Sequence, residues 1–143
     1  MRTPEGVDLD FSAVGKGALL GLLVVAPVGL ADLVLSAVDG LDKGAVVFPL
    51  FVVILGGFFL AGHRAASRAT GSPYTHGAAA GLAAFALWLP LRITARALAG
   101  GQLIGQEGDA ALDVVEVLAT TALLSMSLGI LGGLVASRRS RRA

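Results

Sequence analysis

The 143-residue chain has no cysteine, which removes disulfides, thiolate metal sites and cysteine nucleophiles together. Charge is scarce as well. Asp, Glu, Lys and Arg make up 15% of the residues, against about a quarter in soluble domains. The formal net charge is +1, so there is no global field to draw in nucleic acid. Neither a GxSxG nucleophile elbow nor a GxxxxGK[ST] phosphate loop is present. Ser125 and Ser127 sit in an apolar stretch with no His or Lys at matching depth. Catalysis needs a nucleophile–base pair, a carboxylate pair or a metal set within reach. The chain therefore reads as a non-enzyme, with no cofactor and no metal.

What the sequence does have is apolar length. Hydrophobic residues reach 55%, glycine accounts for 20 positions, and mean hydropathy is +0.81. A soluble core of this size has no room for so much apolar surface. Four stretches approach the ~20 apolar residues that cross a bilayer: 17–38, 44–62, 77–99 and 114–136. Backbone groups in lipid must bond within their own segment, so these are helices. The fold expected is an all-α integral membrane four-helix bundle in a single domain covering 1–143. The first span is not read as a cleaved signal, because Glu5, Asp8 and Asp10 precede it where a signal would be short and positive. The connection 100–113 is the one loop with room for a short surface helix, and no soluble domain is expected.

Orientation follows from Lys and Arg. The two termini and the middle loop carry eight of them, against three on the other side, which puts both termini in the cytoplasm. Arginine outnumbers lysine 9 to 2, a bias of GC-rich bacterial genomes, and the plasma membrane of a bacterium is the expected location.

Two short phrases recur. Lys16–Leu22 reads KGALLGL and His76–Leu82 reads HGAAAGL; Ile54–Gly57 and Ile130–Gly133 both read ILGG. This predicts one helical hairpin used twice, as a parallel repeat about an axis along the membrane normal. Small residues at i and i+4 let helices approach closely in lipid. The pairs are Gly17 with Gly21, Gly57 with Ala61, Gly77 with Gly81, and Gly129 with Gly133. All lie in the cytoplasmic half, so the bundle should be tight inside and wider outside.

The spans also carry charge. Asp32 follows Gly21 by eleven residues, and Arg92 follows Gly81 by eleven. Eleven residues turn a helix about 1,100°, some 20° past three turns, so each charge shares a face with its glycine. Asp32 and Arg92 are expected to meet at one depth, with Arg96 one turn on and Glu116 entering from the fourth span. An unpaired charge at a span centre costs about 2.5–3.5 kcal/mol, which pairing offsets. The bland reading is an ion pair locking two hairpins, and the functional one is a polar vestibule open outward. Pro27, Pro49 and Pro90 fall inside spans and are read as tolerated kinks.

Between the second and third spans the chain runs GGFFLAGHRAASRATGSPYTHGAAAG from Gly56 to Gly81. Gly56, Gly57, Ala61, Gly62, Ala65, Gly71, His76, Gly77 and Gly81 resemble the pattern GGxxAGxxA…GxxHGxxxG. That pattern marks the centre of a family of small bacterial four-span membrane proteins with no assigned activity. The resemblance covers about 26 residues; it implies the four-span fold and no chemistry, and it departs from the family's pattern at His63, where the family usually carries Arg, and at the residues between Gly71 and His76. His63 and His76 are placed to face each other across the short loop. Two histidines without further ligands seldom close a metal site, so they are read as interfacial, as are Tyr74 and Trp88. Arg138, Arg139, Arg141 and Arg142 end the chain as a headgroup anchor. The function expected is a structural or accessory one, through Gly-rich faces packing on a second copy or a larger membrane complex, with the lipid bilayer as the first partner. The alternative is a small transporter or channel with its vestibule around Asp32 and Arg92.

Overall fold

A computed structural model of the chain describes residues 9–36, 43–69, 71–98 and 110–140. They form four helices and, among the described residues, no strand: α1 Phe11–Ser36, α2 Lys43–Ala66, α3 Pro73–Leu98 and α4 Ala110–Ser140. Each contains a stretch long and apolar enough to cross a membrane, 11–31, 48–66, 73–95 and 118–138. The chain is a multi-pass membrane protein by length and composition.

The helices begin where capping chemistry allows. α1 starts six residues before the expected Gly17, because Asp10 caps it. The Asp10 carboxylate accepts from the amides of Ser12 and Ala13 at 2.9 and 3.0 Å, satisfying donors that a helix start leaves free. α3 opens on Pro73, whose missing N–H costs nothing at a first helical position. Between α2 and α3, the Ser67 hydroxyl donates to the Arg64 carbonyl at 3.0 Å. Ala69 N–H folds back to Ala65 at 3.1 Å. Pro27, Pro49 and Pro90 lie within continuous helices. α4 takes in 110–113, which were expected in the third connection.

Around the bundle α1 packs on α2 and α3, α4 packs on the same two, and α2 meets α3 across the middle. Among the described residues α1 and α4 do not touch. That arrangement departs from the expected parallel repeat, since a two-fold exchanging the hairpins would make the α1–α4 contact match the α2–α3 contact. The recurring phrases disagree as well. The GAxxGL glycines do face their hairpin partners, Gly17 against Ala61 and Ala65, Gly77 against Gly129 and Gly133. The ILGG phrases do not correspond. Gly57 lies beside Gly21, so in a repeat Gly133 would lie beside Gly81; it lies instead beside Pro73, eight residues or about 12 Å away. Gly129 sets this register. It nests against backbone of Gly62, Gly77 and Gly81 at once, whereas its counterpart in the ILGG alignment is Val53, whose side chain bars such an approach.

The core occupies one half of the bundle. Val14, Ala18, Val25, Phe58, Ala61, Ala65, Ala80, Ala84 and Trp88 form it, mostly small side chains between closely approaching helices. Buried residues are thus concentrated toward the end where α2 and α3 connect.

Candidate functional site

All eight residues expected to mediate packing are at contacts between helices of one molecule. A methyl group on Gly17 would lie 2.5 Å from the Ala61 carbonyl oxygen, and one on Gly21 would lie 2.7 Å from the Ala61 Cβ. On the other side of the bundle the approach is backbone to backbone: Gly81 on Ser125, Gly77 on Gly129, Gly133 on Pro73. Sequence pairing missed Gly62, which meets Gly129, and Gly132, which meets Phe59 and His63. It also missed Gly29, which carries the Trp88 indole. The same spacing of small residues joins Gly62 to Ala66 and Gly132 to Ala136, a signal left unread, whereas Gly29 has no small residue four positions away. The Gly-rich faces are thus used inside the monomer and are not free for a partner, which corrects the expected mode of association.

Two polar side chains are buried among these contacts, His76 and Ser125, both with no exposure. The Ser125 hydroxyl donates to the Ala122 carbonyl at 2.8 Å, a local bond within its own helix. His76 does more. The Asp10 backbone N–H donates to its Nε2 at 2.9 Å. Its Nδ1 lies 2.8 Å from the Ser72 carbonyl oxygen. An accepting Nε2 requires the hydrogen on Nδ1, which then donates to Ser72; the ring is neutral in this arrangement. One imidazole therefore ties the start of α1 to the start of α3. His63 is elsewhere, stacked on Phe59 with ring centroids 6.3 Å apart, so the two histidines do not face each other. Among the described residues no group of three or more potential ligands could hold a metal.

The charged set lies in the other half. Gly81 opposite Ser125, Gly77 opposite Gly129 and Pro73 opposite Gly133 define an antiparallel register, and extending it puts Arg92 opposite position 114, about 3 Å along the axis from the level of Glu116. On the other flank, Gly21 meets Ala84 and Gly29 meets Trp88, which brings position 32 of α1 to the level of Arg92. The side chains of Asp32 and Arg96 lie outside the described residues, so the expected Asp32–Arg92 pair does too. Arg92 is half-buried and Glu116 exposed. Among the described residues no ion pair joins either of them to another charge.

This half is open. Beyond Gly29 on α1, Gly57 on α2, Trp88 on α3 and Ser125 on α4, no described residue is buried. On α2, Phe48, Phe51, Val52 and Val53 are 70, 44, 49 and 44% exposed, while Leu50 and Ile54 are half-buried and Ile54 packs on the core. In the tail Arg138 is exposed; Arg141, Arg142 and the side chain of Arg139 lie outside the described residues.

No protein-family model, curated protein or solved structure matches the chain.

Proposed function

We propose that the chain is a structural or accessory protein of a bacterial plasma membrane, with both termini in the cytoplasm, that packs on itself or on a larger membrane complex. The observation that carries this reading is the seal in the tight half. There α2, α3 and α4 meet backbone to backbone at Gly62, Gly77, Gly81 and Gly129, an arrangement suited to rigidity rather than to rocking. Lys16, Arg64, Arg68 and Arg138, all exposed, flank that same end, which supports its placement on the cytoplasmic side. Because the glycines face inward, a partner would meet the outer faces of α1 and α4, the two helices with the fewest neighbours. Those faces present Leu19, Leu23 and Val34 on α1 and Leu131 and Val135 on α4. The test is the native mass of the tagged chain extracted in mild detergent. A stoichiometric larger partner or a discrete homo-oligomer is expected; a lone monomer refutes the reading.

One observation favours a second reading, a transporter or channel with a vestibule around Asp32 and Arg92: Arg92 is half-buried in the half of the bundle where no described residue is fully buried. It requires a lone monomer that passes ions in liposomes.

A further inference from the structure

The start of α1 lacks an acceptor of its own for one amide. Asp10 is its N-cap, and in a capping box the residue three positions on is Glu or Gln and takes the N-cap amide. Here that residue is Ala13, 3% exposed. The Asp10 N–H donates instead to Nε2 of His76, 2.9 Å away on α3. The cap is completed from another helix.

That substitution ties the joint to a protonation state. A neutral imidazole accepts at one nitrogen, whereas an imidazolium donates at both. Through Nδ1, His76 meets the Ser72 carbonyl oxygen at 2.8 Å, a bond at the start of α3 that either state can make. The bond to Asp10 cannot survive, because a protonated Nε2 would face the amide hydrogen. Of the two bonds, gaining a proton breaks only the one that joins α1 to α3.

The charges around the ring do not replace that bond. From α1 comes the Asp10 carboxylate, the one carboxylate at this end among the described residues. Its Oδ1 already accepts from Ser12 and Ala13, and turning it to the ring would give up the cap. Lys16 on the same helix is exposed. From α2 the buried residues at this end are Ala61, Gly62 and Ala65, with Arg64 and Arg68 exposed and His63 stacked on Phe59. From α4 they are Gly129, Gly132, Gly133 and Ala136, with Arg138 exposed. On α3 itself Tyr74 is 45% exposed. Glu5 and Asp8 lie outside the described residues.

We propose that His76 is a proton-operated latch on the amino-terminal end of α1. Neutral, it holds that end on α3; protonated, it releases the turn before Gly17. The backbone contact of Gly17 with Ala61 involves no titratable group and keeps the rest of α1 in place. The seated form takes no proton at Nε2 and the released form does, so release grows as the pH falls. The latch needs only the fold and stands whether or not the chain has a protein partner.

Amide hydrogen exchange of the full chain in phospholipid nanodiscs tests it. Each rate is divided by that of the unstructured peptide at the same pH, so that protection alone is compared. Imidazole ordinarily changes charge between about pH 5 and pH 8. Across that range, from high to low, protection at Asp10, Ser12 and Ala13 should fall about fivefold, the equilibrium factor of one hydrogen bond. Protection at Gly21, Ala80 and Ala84, all buried farther along the bundle, should stay constant. His76→Gln keeps a neutral acceptor that takes no proton and should abolish the fall. Asp10→Asn keeps the cap without its charge and should leave the fall intact, which excludes the carboxylate as its source even should His76→Gln fold poorly. Flat protection in the parent overturns the proposal. So does a fall that persists in His76→Gln, or one that is lost in Asp10→Asn. An equal fall in all four helices also overturns it, by showing general loosening in place of a latch.

Discussion

Gly129→Ala and Gly56→Ala are the same chemical change on two glycines, and the structure gives them opposite signs. A methyl on Gly129 would collide with the Gly77 carbonyl and the Gly81 Cα. Both are backbone, so no side chain can turn aside; α3 and α4 must part by about an ångström or more to restore van der Waals spacing. Overpacking of this kind costs about 1–3 kcal/mol, and rigid partners on two helices put it near the top of that range. Gly129 also touches Gly62 on α2, so the parting loosens a second interface. Alanine returns some of this through helix propensity, up to about 1 kcal/mol in water, but less here because membrane helices persist in the unfolded state. The net expectation for Gly129→Ala is a loss of about 2 kcal/mol. Gly56 is exposed and has nothing within 4 Å of an added methyl, so its change should be neutral or stabilising by no more than about 1 kcal/mol. Unfolding with SDS in mixed micelles, followed by Trp88 fluorescence, measures the difference. A gap of about 2–3 kcal/mol is expected between the two variants. Equal stabilities would refute the claim that Gly129 organises the bundle.

Three other expectations follow from contacts already described. His76→Phe keeps roughly the ring volume but leaves the Asp10 amide and the Ser72 carbonyl without partners; it should cost about 1–3 kcal/mol and raise hydrogen exchange at Asp10, Ser12 and Ala13 more than elsewhere. Gly29→Ala should be destabilising because the Trp88 indole occupies the space of the new methyl, and Trp88→Phe should relieve part of that penalty. The double-mutant cycle should show a coupling of at least about 0.5 kcal/mol, and strict additivity would contradict the contact. A green-fluorescent-protein fusion at the carboxyl end should fluoresce and an alkaline phosphatase fusion there should be inactive, with the reverse pattern overturning the cytoplasmic placement of the tail.

Much of the architecture was legible because bilayer thickness imposes a length on apolar runs, and all four runs reappear as helices within a few residues. The ends were less legible. Asp10 extends α1 backwards through side-chain capping, and hydropathy does not register capping. The paired glycines fell correctly at helix contacts, yet their partners were not legible, since a face shows that a helix packs and not against which neighbour. Register was the deepest failure: ILGG twice in one sequence suggested equivalent depths, whereas the three-way nest at Gly129 moved α4 by about two turns relative to that alignment. His76 was noted as an interfacial residue, but its link to Asp10 spans 66 positions of sequence, and no local pattern encodes that distance.

The two halves of the bundle differ because lipid supplies no hydrophobic force to close a helix pair. Hydrocarbon chains solvate Phe48 or Val52 as well as another helix would, so apolar surface alone leaves helices indifferent to contact. Backbone approach breaks that indifference, since it gains dispersion contacts that lipid chains, with their looser fit, do not match. In this chain the glycines that touch backbone on a second helix end at Gly21, Gly57, Gly81 and Gly129, and Gly29 extends the contact only by seating Trp88. Beyond these levels the inward faces carry Leu50, Ile54, Leu118 and Ala122, with no glycine to bring backbones together. The place where close packing stops is therefore set by the last inward glycine on each helix. Moving that boundary should move the close packing with it: Ile54→Gly together with Ala122→Gly is expected to extend the sealed half by about one turn. Cysteines placed at Leu50 and Leu118 should then form a disulfide faster than the same pair in the parent background. An unchanged rate in that variant would mean that something other than glycine spacing sets how closely the outer halves pack.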